Sequence, residues 1–362
     1  MAIKSNKGEW AEFYAFLKIL LERQLPAADE NLCATDRTFI FQKVIRQDEK
    51  SQPIKVYDLT GDLNSIAIKN DSETEIIRVF DSTELGFKTR RIFERIRDNK
   101  KTFSIPEAEE LMEALLCTRI KASNEEKADL VAIIHDRISE SSPMLGFSIK
   151  SMIGGASTLL NPGQTTNFVY EVNGFSGDLD KINTINTKSK IRDRIAQINQ
   201  QGGNFTFLNA SDEQFDGNMR MIDTALPDFL AYMVLDFFTS ARRTLPELVE
   251  GLAASLDMKL KYKLSGEKYS YKVRNFLDAV ALGMVPSKSW DGFTKAHGGY
   301  IVVKEDGEVV CYHLYNRDAF QAYLYNNTKF EAAGTTRYKY AKLYEIDGRL
   351  FFNLNLQIRF LR

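Results

Sequence analysis

Two strand-like segments in the first half of the chain place an acid and a lysine where neighbouring strands would bring them together. The segments are KADLVAIIHD (127–136) and LGFSIKSMI (145–153), separated by a short loop. Successive side chains of a strand point to opposite faces, so Ser148 and Lys150 share one face of the second segment. The pattern predicts an antiparallel hairpin whose inward faces converge on Asp129 and Lys150.

A lysine at the centre of an apolar strand has two explanations. It can lay its stem along apolar surface and keep its charge in water. It can instead lie beside a reacting phosphate. The strand by itself does not decide between them.

The rest of the first half predicts a mixed α+β arrangement. A first helix begins after the cap residue Asn6, a basic helix covers 82–98, and a third helix begins with Ser104 as its cap. Further strands are predicted at 37–45, 54–58, 74–81 and 165–172. The last of these is expected to lie beside the hairpin as a third strand.

The second half changes from helices to strands. Helices are predicted at 188–200, 218–238, 245–256 and 272–282. Hairpins are predicted around Asp306–Gly307 and Asp347–Gly348. The glycines of QGGN (201–204) suggest a boundary, so two domains are expected, 1–200 and 201–362.

The bulk properties indicate a globular protein whose cysteines are reduced. The chain has 362 residues, of which 44% are hydrophobic, and its three cysteines lie far apart in sequence. This spacing argues against a disulfide framework or a structural zinc site. The sequence contains neither a run of about 20 apolar residues that could span a bilayer nor an apparent secretory signal. A cytoplasmic location without membrane contact is expected.

Two basic stretches stand out in a chain of net charge −1. Residues 88–101 contain seven basic and two acidic residues, and residues 259–274 contain six basic residues and one acid. Tyrosines are interleaved in the second stretch. Such stretches suit a phosphate backbone, although each could also be a solvated face.

The acid and the lysine of the hairpin fit metal-dependent phosphodiester hydrolysis. That chemistry needs carboxylate oxygens to hold Mg²⁺ and a lysine to orient water or stabilise charge. The arrangement Asp129…Ser148-Ile149-Lys150 resembles the PD-(D/E)XK nuclease pattern, with Ser148 in place of the expected acid. The resemblance implies Ile149 as a further metal contact, through its main chain, and a carboxylate recruited from elsewhere.

Two sources of that carboxylate are open. On the first helix, Glu9 falls within the apolar face and Glu12 at its edge, where a carboxylate is costly unless it is paired or bound to metal. Both could instead interact favourably with the positive end of the helix dipole, since both lie in the first turns of the helix. Glu171, on the strand expected beside the hairpin, is the second source, or else an ordinary surface acid.

Several long stretches match one family together. They include NKGEWAEFYAFLKIL, LGFKTRRIFERI, KADLVAIIHD, LGFSIKSMIGGASTLLNPGQTTNFVYEV, HGGYIVVKEDGEVVCYHLY and LNLQIRF. The sequence closely resembles the HpaII type II restriction endonuclease family from about residue 5 to the C-terminus. The resemblance implies a PD-(D/E)XK-type nuclease core, a central mixed sheet flanked by helices, with an added C-terminal α+β region for DNA recognition or structural support. It also implies Mg²⁺-dependent double-strand cleavage at CCGG, a companion cytosine methyltransferase and blockage by methylation.

The residues expected to contact double-stranded DNA are basic or carry amide, hydroxyl or imidazole groups. They are Lys88, Arg90, Arg91, Arg97, Gln164, Thr166, Asn167, His297, Arg337 and Lys339. The arginines of the basic helix are expected to touch mainly phosphates, and arginine or lysine to read guanines. Turn chemistry is the alternative for the 164–167 loop and for His297.

The sequence also allows two other functions and two modes of assembly. The serine at 148 allows a DNA-binding regulator on a decayed nuclease fold, and a structure-specific repair nuclease is a further alternative. A palindromic site would match a homodimer on DNA, whereas a monomer would cut the strands in turn.

Overall fold

The computed structural model describes residues 2–123, 128–135, 140–294 and 296–361, without the side chain of Leu314. Part of the loop predicted between the two hairpin strands lies outside these residues. No helix in the described ranges is long and apolar enough to cross a membrane.

The strands of the described residues are numbered in chain order. They are β1 (Ser5–Asn6), β2 (Gln24–Ala28), β3 (Ala34–Arg46), β4 (Lys55–Asp58), β5 (Ser65–Asn70), β6 (Ile76–Asp81), β7 (Thr102–Phe103), β8 (Leu130–His135), β9 (Met144–Ser151), β10 (Thr158–Leu160), β11 (Asn167–Asn173), β12 (Asn204–Ala210), β13 (Gly299–Val303), β14 (Val309–His313), β15 (Thr328–Phe330), β16 (Leu343–Ile346), β17 (Arg349–Asn355) and β18 (Ile358–Phe360).

The α-helices of the same residues are numbered in the same way. They are α1 (Lys7–Glu22), α2 (Leu85–Asp98), α3 (Pro106–Ala114), α4 (Leu179–Thr184), α5 (Lys190–Gln200), α6 (Glu213–Ile222), α7 (Leu226–Thr239), α8 (Leu245–Ala254), α9 (Leu256–Tyr262), α10 (Gly266–Leu282), α11 (Arg317–Asn326) and α12 (Thr335–Tyr338). The fold class is therefore mixed α+β, as predicted.

The chain divides into two compact units that do not follow the expected boundary near residue 200. Unit 1 contains the described parts of Met1–Ser157 and Thr294–Tyr323, and unit 2 contains Thr158–Phe293 and Leu324–Leu361. The β13–β14 hairpin, expected in the C-terminal domain, therefore lies in unit 1. The QGGN stretch is a turn between α5 and β12, within unit 2.

Unit 1 is built on a nine-stranded mixed sheet in the order β2-β14-β13-β9-β8-β3-β4-β5-β6. The predicted hairpin is confirmed: β8 and β9 are antiparallel, with Leu130 opposite Phe147. On its other side, β9 pairs in parallel with β13, where Lys150 lies opposite Val302. This places the lysine-bearing strand in the interior of the sheet.

Helix α1 begins where the sequence predicts and packs into the core of unit 1. The Asn6 side chain accepts from the main-chain N–H of Glu9, and the Glu9 carboxylate accepts from the N–H of Asn6, which forms a capping box. Trp10 donates to the carbonyl of Phe103 at 3.0 Å. The buried helix is thereby fixed in position along its axis.

Unit 2 contains two smaller sheets and the helices α4–α10 and α12. Strands β10, β18 and β15 form one sheet, and β12, β11, β17 and β16 form the other. The hairpin predicted around Asp347–Gly348 is confirmed as β16–β17. Apolar side chains of α7, including Phe229 and Leu230, are fully buried.

Three other predictions are wrong in part. Ser104 is not the cap of α3: Ile105 occupies that position without a side-chain hydrogen bond, and Pro106, which has no N–H to satisfy, starts the helix. The helix predicted at 218–238 is two helices, α6 and α7, interrupted at residues 223–225. The strand predicted beside the hairpin, β11, pairs instead with β12 and β17 in unit 2.

A buried ion network fixes the segment that follows α3. Asp48, 1% exposed, accepts from Arg46 Nε at 2.6 Å, Lys55 Nζ at 2.7 Å and the N–H of Thr118 at 2.9 Å. Burial alone would raise the pKa of Asp48, but the charges of Arg46 and Lys55 and these hydrogen bonds hold it below its ordinary value of 3.8. The network ties β3 and β4 to residues 115–120.

Replacing Asp48 should destabilise the protein strongly. Asp48→Asn leaves two buried cations without their counter-ion, so we expect the free energy of unfolding at pH 7 to fall by about 3–5 kcal/mol. Because the folded-state pKa is lowered, the stabilisation is present above pH 3.8 and is lost as the pH falls below the folded value. Urea unfolding at pH 7 measures the free energy of unfolding of each protein. The exposed Asp71→Asn should change stability by less than about 0.5 kcal/mol, and equal unfolding of both variants would contradict the role of the network.

Candidate active site

Asp129 immediately precedes β8, and the β8–β9 pairing directs its carboxylate onto β9. Its Oδ2 accepts from the main-chain N–H of Ile149 at 2.8 Å and from the Ser148 hydroxyl at 3.2 Å. Its own N–H donates to the carbonyl of Phe147 at 2.8 Å. Ser148 thus holds the acid in place, since a carboxylate at 148 would repel Asp129.

Glu12 brings a second carboxylate to the same place from α1. Its side chain is 19% exposed, and both of its oxygens lie 3.2 Å from Lys121 Nζ. Of the two contacts only the one to Oε1 has hydrogen-bond geometry. The buried Oε2 accepts no hydrogen bond from the described residues. Glu12 therefore has coordinating capacity that the described residues do not use.

The two carboxylates affect each other electrostatically. Burial, and after it the charge of Asp129, raise the pKa of Glu12 from 4.5 to about 7, against the opposing effects of Lys121 and Lys150. Desolvation and a like charge both disfavour an ionised acid. A cation between the two carboxylates would relieve this cost.

Lys121 is a site residue that the sequence reasoning missed. Its Nζ lies 3.2 Å from Asp129 Oδ1 as well as from Glu12. Burial lowers the pKa of Lys121, but Asp129 and Glu12 outweigh that effect and raise it above its usual value. Lys121 lies in an irregular segment with no periodic pattern, and nothing in its spacing could have singled it out.

Lys150 lies two residues beyond Ser148 on the same face of β9. It is half-buried, and its ammonium forms no ion pair or hydrogen bond with the described residues. Its charge lowers the pKa of Glu12, which puts it within electrostatic range of the carboxylate pair. An amine held in the sheet without a bound acid is available to an external anion.

The carboxylate pair lines a small cavity in unit 1. Its volume is about 10 Å³, and Lys121, Ile149 and Arg46 contribute to its wall. This is close to the volume needed for a single water-sized group. No cluster of three or more His, Cys, Asp or Glu side chains that could hold a metal is found within the described ranges. A cation here would have two carboxylates and nearby main-chain or hydroxyl oxygens.

The other two candidate carboxylates lie in different environments. The Glu9 side chain closes the capping box of α1 and also accepts from the Ser5 hydroxyl. The Glu9 carboxylate therefore satisfies the N-terminus of α1, in line with the alternative of a helix-terminus role. Glu171 is not on a strand adjacent to β9, and its Oε1 accepts from Arg349 Nε at 2.7 Å. The structure brings Glu12 to Asp129.

The basic helix α2 is partly neutralised by acids. Lys88 Nζ lies 3.1 Å from Glu110, and Arg91 lies 3.4 Å from Glu107. Arg90 and Arg97 are the more exposed, at 82% and 54%, and each pairs with an acid of the same helix. Such exposed ion pairs are weak enough for a phosphate to replace them.

The predicted DNA contacts near β10 and β11 are only partly supported. Thr166 and Asn167 are buried at 1% and 3% exposure, and both accept hydrogen bonds from Asn355. Asn167 also donates to the carbonyl of Tyr338 at 3.0 Å. These two side chains stabilise unit 2 and are not free to read bases, whereas Gln164 is exposed.

The remaining predicted contacts are exposed. His297 lies just before β13, with its Nε2 3.4 Å from the carbonyl of Met144. In unit 2, Arg337 stacks on the ring of Tyr338, and Lys339 lines a cleft of about 390 Å³ together with Lys342. All three side chains could reach an anion in solution.

Similarity to known proteins also indicates that the chain is a nuclease. A family model described as HpaII restriction endonuclease matches residues 6–360. The type II restriction enzyme HpaII of Haemophilus parainfluenzae is 34% identical over 360 residues, which cover 98% of this chain and 98% of that enzyme. No solved structure matches the chain. Because the agreement extends over nearly the whole chain, the protein belongs to the HpaII restriction endonuclease family and is a site-specific deoxyribonuclease.

Proposed function

We propose that the protein is an Mg²⁺-dependent type II restriction endonuclease that cuts both DNA strands at CCGG, with a PD-(D/E)XK-type core in unit 1. The observation that carries the proposal is the convergence of Glu12 and Asp129 on one small cavity beside Lys150. The choice of CCGG is what the resemblance to the HpaII restriction endonuclease family implies. A companion cytosine methyltransferase that protects the same site is part of the proposal.

The residues of the cavity fit a divalent cation. Glu12 and Asp129 would hold it, together with the main-chain oxygen of Ile149, and the unsatisfied Glu12 Oε2 is the clearest sign of the fit. When bound, Mg²⁺ supplies positive charge to the scissile phosphate and lowers the pKa of coordinated water. Glu12 thus takes the place of the acid that Ser148 replaces in the strand.

The chain's own residues have separate tasks in this proposal. Ser148 and the N–H of Ile149 orient Asp129 through the hydrogen bonds to its Oδ2. The Lys150 ammonium orients the phosphate and stabilises negative charge that develops during hydrolysis. Lys150 therefore acts through electrostatics.

Digestion of a plasmid, followed by sequencing of the ends, tests the function. With Mg²⁺ we expect discrete fragments whose ends lie at CCGG, and no cutting once the cytosines of the site are methylated. Retarded but intact DNA would support the decayed regulator. Cutting confined to branched or nicked DNA would support the repair nuclease.

Substitutions in the same assay test the residues. Asp129→Asn and Lys150→Met should each lower the cleavage rate by at least about 10³-fold, because each removes charge from the reacting centre. Both should retain specific DNA binding. Glu12→Gln should likewise cut poorly, whereas Glu9→Gln and Glu171→Gln serve as matched controls with near-normal rates. Normal cleavage by a folded Asp129→Asn protein would refute the site.

We propose that the exposed arginines of α2 contact phosphates and that exposed residues of unit 2 read bases. Arg97→Ala should weaken specific and non-specific binding alike and flatten the salt dependence by about one unit. Asp98→Asn, which frees Arg97 from its ion pair, is the matched control and should bind at least as tightly. Arg337→Ala and Lys339→Ala should lose only the sequence-specific part of the DNA-binding affinity. Fluorescence anisotropy at several salt concentrations measures these affinities. If Arg97→Ala weakened binding at only one base position of the site, Arg97 would be assigned to base recognition instead of phosphate contact.

We also propose that two chains assemble on one palindromic site. CCGG presents the same groups on both strands, so a two-fold symmetric dimer would place one active site at each strand. Light scattering of the protein on a short duplex, in Ca²⁺ to suppress cutting, should give two chains per duplex. One chain per duplex at saturating protein would indicate sequential nicking.

A further inference from the structure

Lys121 occupies the position that a metal would use. Its ammonium lies 3.2 Å from oxygens of both Glu12 and Asp129, and no other side chain of the described ranges forms ion pairs with both carboxylates. The cavity of about 10 Å³ that these three residues help to line leaves room for no more than one water-sized group beside the ammonium. A lysine ammonium and a divalent cation therefore compete for the same oxygens.

The main chain around Lys121 is fixed. Arg46 donates to the carbonyls of Arg119 and Ile120, the latter at 3.0 Å, and the N–H of Ser123 donates to the carbonyl of Gln47 at 2.7 Å. Arg46 also stacks on the ring of Phe16, one turn beyond Glu12 on α1. The buried Asp48 network thus presents the Lys121 side chain to the carboxylates from an anchored segment.

An alternative position for the ammonium is available on the other side of Lys121. Its side chain is 52% exposed, and it lines a second, open cleft of about 910 Å³ in unit 1. Lys4, Lys50 and Arg119 line the same cleft together with the acids Glu9, Asp48 and Glu49, so with Lys121 the basic residues outnumber the acids by one. A phosphate in this cleft would attract Lys121 away from the carboxylates.

We infer that Lys121 is the resident counter-cation of the Glu12–Asp129 pair, that it leaves when a divalent cation enters, and that it then faces a DNA phosphate in the adjoining cleft. The inference rests on the proposed function, because it assumes that the carboxylate pair is the metal site. Metal and DNA then bind cooperatively: each favours the state in which Lys121 has moved, so each raises the affinity for the other. Before DNA arrives, the lysine weakens metal binding.

Calorimetric titration with Ca²⁺ alone tests the competition without DNA or cleavage. Lys121→Gln should bind Ca²⁺ more tightly than the wild type, on the order of five- to tenfold, the range that two partly exposed ion pairs allow. Lys121→Arg, which keeps the charge, should bind Ca²⁺ no more tightly than the wild type. The exposed Lys288→Gln changes the net charge equally and should stay within about twofold.

A second titration in the presence of a short CCGG duplex tests the release. The duplex should raise the Ca²⁺ affinity of the wild type more than that of Lys121→Gln, because the variant has no lysine to release. An equal gain in both proteins would overturn the coupling between DNA and Lys121.

Asp129→Asn distinguishes failure of this inference from failure of the proposed site. If Asp129→Asn loses Ca²⁺ binding but Lys121→Gln binds like the wild type or more weakly, the competition by Lys121 is wrong and the metal site stands. If Asp129→Asn binds Ca²⁺ normally, the carboxylate pair is not the metal site and both proposals fail. Circular dichroism and thermal unfolding of each variant confirm that the compared proteins are folded.

Discussion

Two carboxylates that share a desolvated cavity need a cation between them. Glu12 and Asp129 meet this condition, and burial together with the charge of Asp129 raises the pKa of Glu12 to about 7. Lys121 offsets that cost in the structure described here. A site that needs a cation and leaves one carboxylate oxygen without a donor is well suited to exchange an internal ammonium for a metal ion.

The fold supplies this pair from two elements that are distant in sequence. The β8–β9 pairing places Asp129 against the Ser148 hydroxyl and the Ile149 N–H, which fixes one acid on the sheet. The capping box and the Trp10 hydrogen bond fix the position of α1, and the Glu12 side chain therefore lies at a defined place in the cavity. The buried Asp48 network holds the third participant, the segment of Lys121. Each support is a set of hydrogen-bonded polar groups, which fixes the geometry of the site.

The sequence predicted the local elements of the site and missed its long-range partners. The hairpin that carries Asp129 and Lys150 follows from alternation, and the start of α1 follows from the cap at Asn6, because both depend on nearby residues. The parallel pairing of β9 with β13 links residues about 150 positions apart, so no local pattern could show that this hairpin completes the sheet of unit 1. For the same reason the predicted position of β11 beside the hairpin, and with it that of Glu171, is wrong.

Helical periodicity indicates both Glu9 and Glu12 but cannot choose between them, because the choice depends on which carboxylate the capping box uses. Lys121 lies in an irregular segment, where its position depends on Arg46 and Asp48.

The proposed mechanism requires that Glu12 and Asp129 together bind the catalytic metal. Crystals of the protein grown with Mn²⁺ and a short CCGG duplex would test this most directly, through the anomalous scattering of manganese. We predict an anomalous peak in contact with the carboxylates of both Glu12 and Asp129, with the Lys121 ammonium displaced from between them. A peak at Glu9 or Glu171, or a manganese site that Asp129 does not touch, would contradict it.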